Sequence, residues 1–200
     1  MLRLFVTGTD TGVGKTRIAI ALCAAYAARR RPVAAMKPVA SGCRQTHAGL
    51  RNEDAEALLA AMTVPAVYGD VNPYAFEPAI APHIAAMEAG CPIDFGVLDG
   101  CYKRLCRQSD VIIVEGAGGW LTPLNDHETL ADFAQLIGAQ VVLVVGLRLG
   151  CINHALLTAQ GISAVGLKLA GWVANTIEPD LQRAAANTAV TKAAAAADKG

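Results

Sequence analysis

The stretch that most constrains this chain is Gly8-Thr9-Asp10-Thr11-Gly12-Val13-Gly14-Lys15-Thr16. An apolar run, Leu4 to Val6, leads into it, and an alanine- and leucine-rich segment with helical spacing follows. Strand, glycine-rich turn and helix in that order build a phosphate cradle. Glycines let backbone N–H groups approach an anion, and the helix start adds partial positive charge. Lys15 is placed to reach the terminal phosphates of a nucleotide, and Thr16 to offer its hydroxyl to Mg²⁺. The usual pattern has four residues between its two glycines. Here five separate Gly8 from Gly14, with Thr9 where the first glycine is expected. The plainer alternative is a strand-to-helix turn with an incidental Gly-Lys-Thr; the flanking elements favour the phosphate loop.

Two hundred residues, 54% of them hydrophobic and 17% charged, fit one domain with a sizeable core. We therefore expect a single domain over residues 1–200, with an alanine-rich tail from about 184 that supports no argument. Seventeen basic and seventeen acidic side chains cancel, which argues against a nucleic-acid partner. No apolar run is long enough to cross a bilayer and the chain opens on a strand, so we expect no membrane association and no signal peptide. Six cysteines without a Cys-x-x-Cys pair read as reduced thiols of a cytoplasmic protein without a zinc site.

Apolar runs place strands at residues 2–7, 33–36, 111–114, 141–145 and 169–174, and helical segments at 14–29, 53–62, 95–107, 128–137, 153–160 and from 181 onward. Between Pro65 and Pro92 the proline- and glycine-punctuated sequence allows a short helix near 84–89. Val111-Ile112-Ile113-Val114 is a continuous β-branched run, the mark of a strand buried on both faces. Alternation predicts an α/β fold: a doubly wound, mostly parallel sheet with helices on both faces, of the P-loop NTPase type.

Ligands of such sheets bind beyond the carboxyl ends of the strands. Those ends offer the phosphate loop, Lys37, Glu115, Gly146 and Asn175. Glu115 stands where nucleotide hydrolases keep a metal-associated carboxylate; the alternative is a solvated acid. Lys37 is either an exposed turn lysine or an anion-facing group, and Asn175 either a turn cap or a ligand contact. Pattern alone does not choose between these. Asp54 by itself reads as a first-turn acid stabilising a helix start.

The motifs resemble those of dethiobiotin synthetases, in order from Leu4 to about Asn175. The phosphate loop has that family's five-residue gap. Met36-Lys37-Pro38-Val39-Ala40-Ser41-Gly42, Leu50-Arg51-Asn52 with Asp54, Val71-Asn72-Pro73-Tyr74, Pro82-His83 and Val114-Glu115-Gly116-Ala117-Gly118-Gly119-Trp120 follow. Gly150-Cys151-Ile152-Asn153-His154-Ala155 and Leu169 to Asn175 complete the likeness, which fades beyond about Arg183.

The resemblance implies an ATP- and Mg²⁺-dependent homodimer that closes the ureido ring of dethiobiotin from 7,8-diaminopelargonic acid and CO₂, in biotin biosynthesis. It implies Mg²⁺ ligation by Thr16, Asp54 and Glu115. ATP would contact Thr11, Gly12, Val13, Gly14, Lys15, Thr16 and Arg17, along with Gly116, Ala117 and Gly118, and Asn175 with Thr176 at the base. Lys37, Lys15 and Ser41 would serve the chemistry. Lys37, Ser41 and Gly118 would hold the diamine, whose carboxylate would meet Gly150, Cys151 and Asn153 across the dimer interface. The rival is a nucleotide-switched partition-type ATPase that binds a protein partner; its phosphate loop usually has a second lysine where this chain has Asp10.

Overall fold

The computed structural model describes residues 1–177; the expected helix from Leu181 and the alanine-rich tail lie outside them. The elements run β1 (Leu2–Gly8), α1 (Lys15–Ala27), β2 (Val33–Met36), β3 (Val39–Ala40), β4 (Arg44–Thr46), β5 (Gly49–Arg51), α2 (Glu53–Ala61), α3 (Tyr68–Val71) and β6 (Tyr74–Ala75). Then come α4 (Pro82–Glu88), α5 (Phe95–Cys106), β7 (Val111–Glu115), α6 (Leu130–Leu136), β8 (Gln140–Leu147), α7 (Cys151–Ala164) and β9 (Leu169–Thr176).

Five strands form one sheet in the order β2-β7-β1-β8-β9, and every neighbouring pair is parallel. The period of two divides its side chains between two cores. Phe5, Ala34, Met36, Ile112 and Val114 face α5 and α6, where Leu98, Tyr102, Leu105, Leu130 and Phe133 meet them. Leu4, Val6, Val33, Ala35, Val111 and Ile113 face the other way, onto Ala19 and Cys23 of α1 and Leu58 of α2. Helices thus cover both faces, as the continuous apolar strands require.

That arrangement locates the site. The helix after β1 packs on one face and the helix after β7 on the other, so the chain diverges between these two adjacent strands. A crevice opens at their carboxyl ends. Gly8 ends one wall and Glu115 the other.

The helix boundaries follow local chemistry. Asn52 caps α2 by accepting from the Ala55 N–H, and Thr129 with Asp132 forms a capping box that starts α6 at Leu130. Helix α7 runs from Cys151 to Ala164, past both ends of the expected 153–160 segment, because Gly150 takes a left-handed φ of 89° and begins the helix. Helix α4 begins at Pro82, two residues before the expected start.

Candidate active site

Val13 fixes the shape of the phosphate loop. It is 1% exposed and lies between two close-packed glycines. A Cβ added at Gly8 would come within 2.6 Å of its Cγ2, and one at Gly146 within 2.9 Å of its Cγ1. Gly14 has φ +95°, and a Cβ there would meet the Asn175 amide nitrogen at 2.3 Å. The Asn175 Nδ2 donates to the Val13 carbonyl at 2.8 Å. Asn175 therefore braces the loop from the end of β9.

The charged groups converge as the strand ends foretell. Lys15 is 6% exposed and its ammonium donates to the Asp10 carbonyl at 2.8 Å and the Gly118 carbonyl at 2.6 Å. It bridges the loop after β1 and the loop after β7. Lys37, 5% exposed, donates to Glu115 Oε1 at 2.6 Å and Asp54 Oδ2 at 3.1 Å. Thr16 Oγ1 donates to the same Glu115 oxygen at 2.9 Å. Lys37 is thus a buried cation, and the reading of it as an exposed turn lysine falls. Asp54 is both a first-turn acid of α2 and a member of the charged cluster.

Protonation reflects this setting. Burial pushes the Lys15 ammonium down to about 8, with the nearby Lys37 charge adding to the shift and Glu115, Asp54 and Asp10 opposing it. Burial also disfavours charged Lys37, but Glu115 and Asp54 outweigh it and hold the group above its ordinary value. Burial is the largest single influence on Asp54 and raises it, but Lys37, the Thr16 hydroxyl and Lys15 together outweigh burial and hold the carboxyl below its usual range. The cluster holds two cations against two carboxylates, which limits the cost of burying them.

A cleft of about 830 Å³ opens over this cluster. Of the expected residues, Thr11, Gly12, Gly14, Lys15, Thr16 and Arg17 line its phosphate-loop side. Lys37, Ser41, Asp54, Glu115, Ala117 and Gly118 line the rest. Val13, Gly116, Asn175 and Thr176 stand outside the lining, the first and third as structural supports. Gly150, Cys151 and Asn153 are absent from it too; they start α7. The sequence reading missed the wall formed by Ala79, Ile80, Ala81 and Pro82, of which only Pro82 belonged to a quoted motif. It also missed the ion pair between Arg148 and Asp10, which ties the β8–α7 turn to the phosphate loop.

The donor set suits Mg²⁺. Glu115 Oε2 is buried without a hydrogen-bond partner, and with the Thr16 hydroxyl and Asp54 it makes an oxygen-only group. Mg²⁺ is commonly held by one or two carboxylates and by substrate phosphates, without a full protein cage. Among the described residues no cluster of three or more His, Cys, Asp or Glu side chains could hold a metal, as that mode allows.

The family model described as "AAA domain" matches residues 2–196, past the point where the individual motifs fade. Sheet order, phosphate loop and buried Lys-carboxylate cluster define a P-loop ATP-binding protein. The apo structure of McdA from Cyanothece resembles this fold with a TM-score of 0.50 and 16% identity, covering 98% of this chain and 82% of that one. The ATP-dependent dethiobiotin synthetase BioD of Pseudomonas paraeruginosa is 54% identical over 190 residues, which are 94% of this chain and 83% of the relative. The enzyme of the same name from Cellvibrio japonicus is 54% identical over 177 residues, 88% of this chain and 78% of the relative. The chain belongs to the ATP-dependent dethiobiotin synthetase family, and it is an ATP-using ligase of biotin biosynthesis that acts on small molecules. No helix among the described residues is long and apolar enough to cross a membrane.

Proposed function

We propose that residues 1–200 act as one P-loop domain, which phosphorylates a carbamate in the cleft and lets a neighbouring amine close the ureido ring. The observation that carries this reading is Lys37. Its ammonium is buried between Glu115 and Asp54, at the mouth of the phosphate loop, where charge would develop during transfer.

One amine of 7,8-diaminopelargonic acid takes up CO₂ to give a carbamate. Its oxygen attacks the γ-phosphorus of ATP and ADP leaves, giving a carbamic-phosphoric anhydride. The second amine then attacks the carbonyl carbon and expels inorganic phosphate. The chain supplies no covalent nucleophile; it positions the partners and neutralises charge. Lys15 would exchange its two carbonyl contacts for the terminal phosphates. Lys37 would move from the carboxylates toward the carbamate, which Ser41 helps to hold. The Ser41 hydroxyl is buried and unpartnered, as a group reserved for a ligand would be. Thr16, Asp54 and Glu115 would hold Mg²⁺, which when bound supplies positive charge beside the β- and γ-phosphates.

We read the active form as a homodimer. Gly150, Cys151 and Asn153 do not line the cleft of their own chain, yet they begin a 14-residue helix that has no side-chain cap. Such an end suits a carboxylate. Leu149 is 92% exposed and Leu157 58% exposed on or beside that helix, an apolar face that supports burial against a second copy. Balanced charge supports small-molecule chemistry without nucleic acid, and six free cysteines support a cytoplasmic setting.

The decisive assay follows phosphate release under omission of each substrate. Release should require the diamine and bicarbonate together, one phosphate per dethiobiotin formed. Steady hydrolysis of ATP without either would favour the partition-type reading instead.

A further inference from the structure

A chain of hydrogen bonds through Tyr68 and Asn72, neither of which lines the cleft, ends on the main chain of Lys37. It begins at Asn52, the cap of α2, whose backbone N–H donates to the Tyr68 hydroxyl at 2.8 Å. Because that hydroxyl oxygen accepts there, its proton is directed onward, to Asn72 Oδ1 at 3.1 Å. The acceptance fixes which way the Asn72 amide faces. Its Nδ2 then points at two carbonyls, Lys37 at 2.7 Å and Tyr74 at 3.1 Å. Lys37 N–H in turn donates to the Val71 carbonyl at 2.7 Å, so both main-chain polar groups of Lys37 are gripped by the segment around Asn72.

Asn72 is 3% exposed, and nothing in the chemistry above uses it. A buried carboxamide with both donors and its acceptor engaged is costly to replace: leucine would remove a donor from each of two carbonyls, and aspartate would press a carboxylate against them. Tyr68 is held from its other side by the Arg51 guanidinium, 4.1 Å from the ring centroid. The network therefore spans α2, which carries Asp54, and the end of β2, which carries Lys37. Those two side chains meet across the cleft at 3.1 Å.

We propose that Asn72, oriented by Tyr68, is a positioning residue that fixes the main chain at Lys37 and so aims its ammonium into the reacting site. This rests on the role given to Lys37 above. Its chemistry explains why a carboxamide and a phenol are both required. The phenol relays a direction, and the amide converts it into two donors at the strand end.

The test is a double-mutant cycle on single-turnover dethiobiotin formation, with ATP affinity and thermal unfolding measured in parallel. Tyr68→Phe removes one oxygen and leaves the Arg51 contact in place; Asn72→Ala removes the whole amide. Displacement of a charge-stabilising group by about 1 Å can cost on the order of 100-fold, so we expect about a 5-fold loss for Tyr68→Phe and a larger one for Asn72→Ala that does not exceed the loss in Lys37→Ala, with ATP affinity within about two-fold. On a Lys37→Ala background both effects should shrink to less than about two-fold, because coupled residues are non-additive. Equal losses with and without Lys37, or parental turnover in folded Tyr68→Phe, would overturn the positioning role alone. Parental turnover in Lys37→Ala itself would overturn the underlying reading. Should Asn72→Ala fail to fold, the Tyr68→Phe cycle decides.

Discussion

At pH 8 the Lys15 ammonium stands near its midpoint, since burial holds it at about 8. A bound triphosphate would surround it with negative charge and return it to the charged form. The sign follows: a depressed amine gains a proton on binding an anion, whereas the triphosphate has none to lose at that pH. Nucleotide binding near pH 8 should take up about half a proton through Lys15, falling toward none by about pH 6.5. Calorimetry in two buffers of different ionisation enthalpy reads this directly. Identical enthalpies in both buffers at pH 8 would show that Lys15 is already charged. Lys37 behaves oppositely: its carboxylate partners keep it charged throughout this range, so it is the constant cation of the pair.

At the scale of elements, caps and glycines decide where the working residues stand. Thr129 accepts from the Asp132 N–H while Asp132 accepts from Thr129, a reciprocal box whose two residues do not line the cleft. Thr129→Ala should cost about 1 kcal/mol in denaturant unfolding, with the diamine-dependent turnover unchanged; a loss of turnover beyond that of stability would tie α6 to the chemistry. The strands of the sheet were legible because each is an apolar run of the right length. Val111 to Val114, fully buried on both faces, is the clearest. The hairpin of β4 and β5 was not legible. Its strands span only Arg44–Thr46 and Gly49–Arg51, too short and polar for an alternation to show. Helix α3 escaped notice for a similar reason, its four residues being shorter than any periodicity. Of the site, the phosphate loop and Glu115 could be read from local pattern. The Lys37–Asp54 contact could not, because helix docking, not local sequence, brings residues 17 apart into register. The hydrogen bonds from Tyr68 to Asn72 were equally hidden. Each residue alone reads as loop polarity.

At the scale of the whole molecule, Gly150 to Asn153, proposed above to meet the substrate carboxylate, stand at the start of α7 and not in the cleft lining. A second copy is the economical way to bring them in. Leu149→Glu combined with Leu157→Glu should give a monomer by sedimentation at micromolar concentration, because two exposed apolar anchors would become charged at the interface core. The variant should bind ATP normally and lose diamine-dependent turnover. An unchanged sedimentation coefficient would place the interface on another face. Ring closure as proposed depends on a buried ammonium that serves the transfer of phosphate to a carbamate. Turnover of Lys37→Ala, followed as dethiobiotin formed per phosphate released, tests this most directly. The expected fall is at least about ten-fold with ATP still bound; turnover within about two-fold of the parent would rule out this role for Lys37.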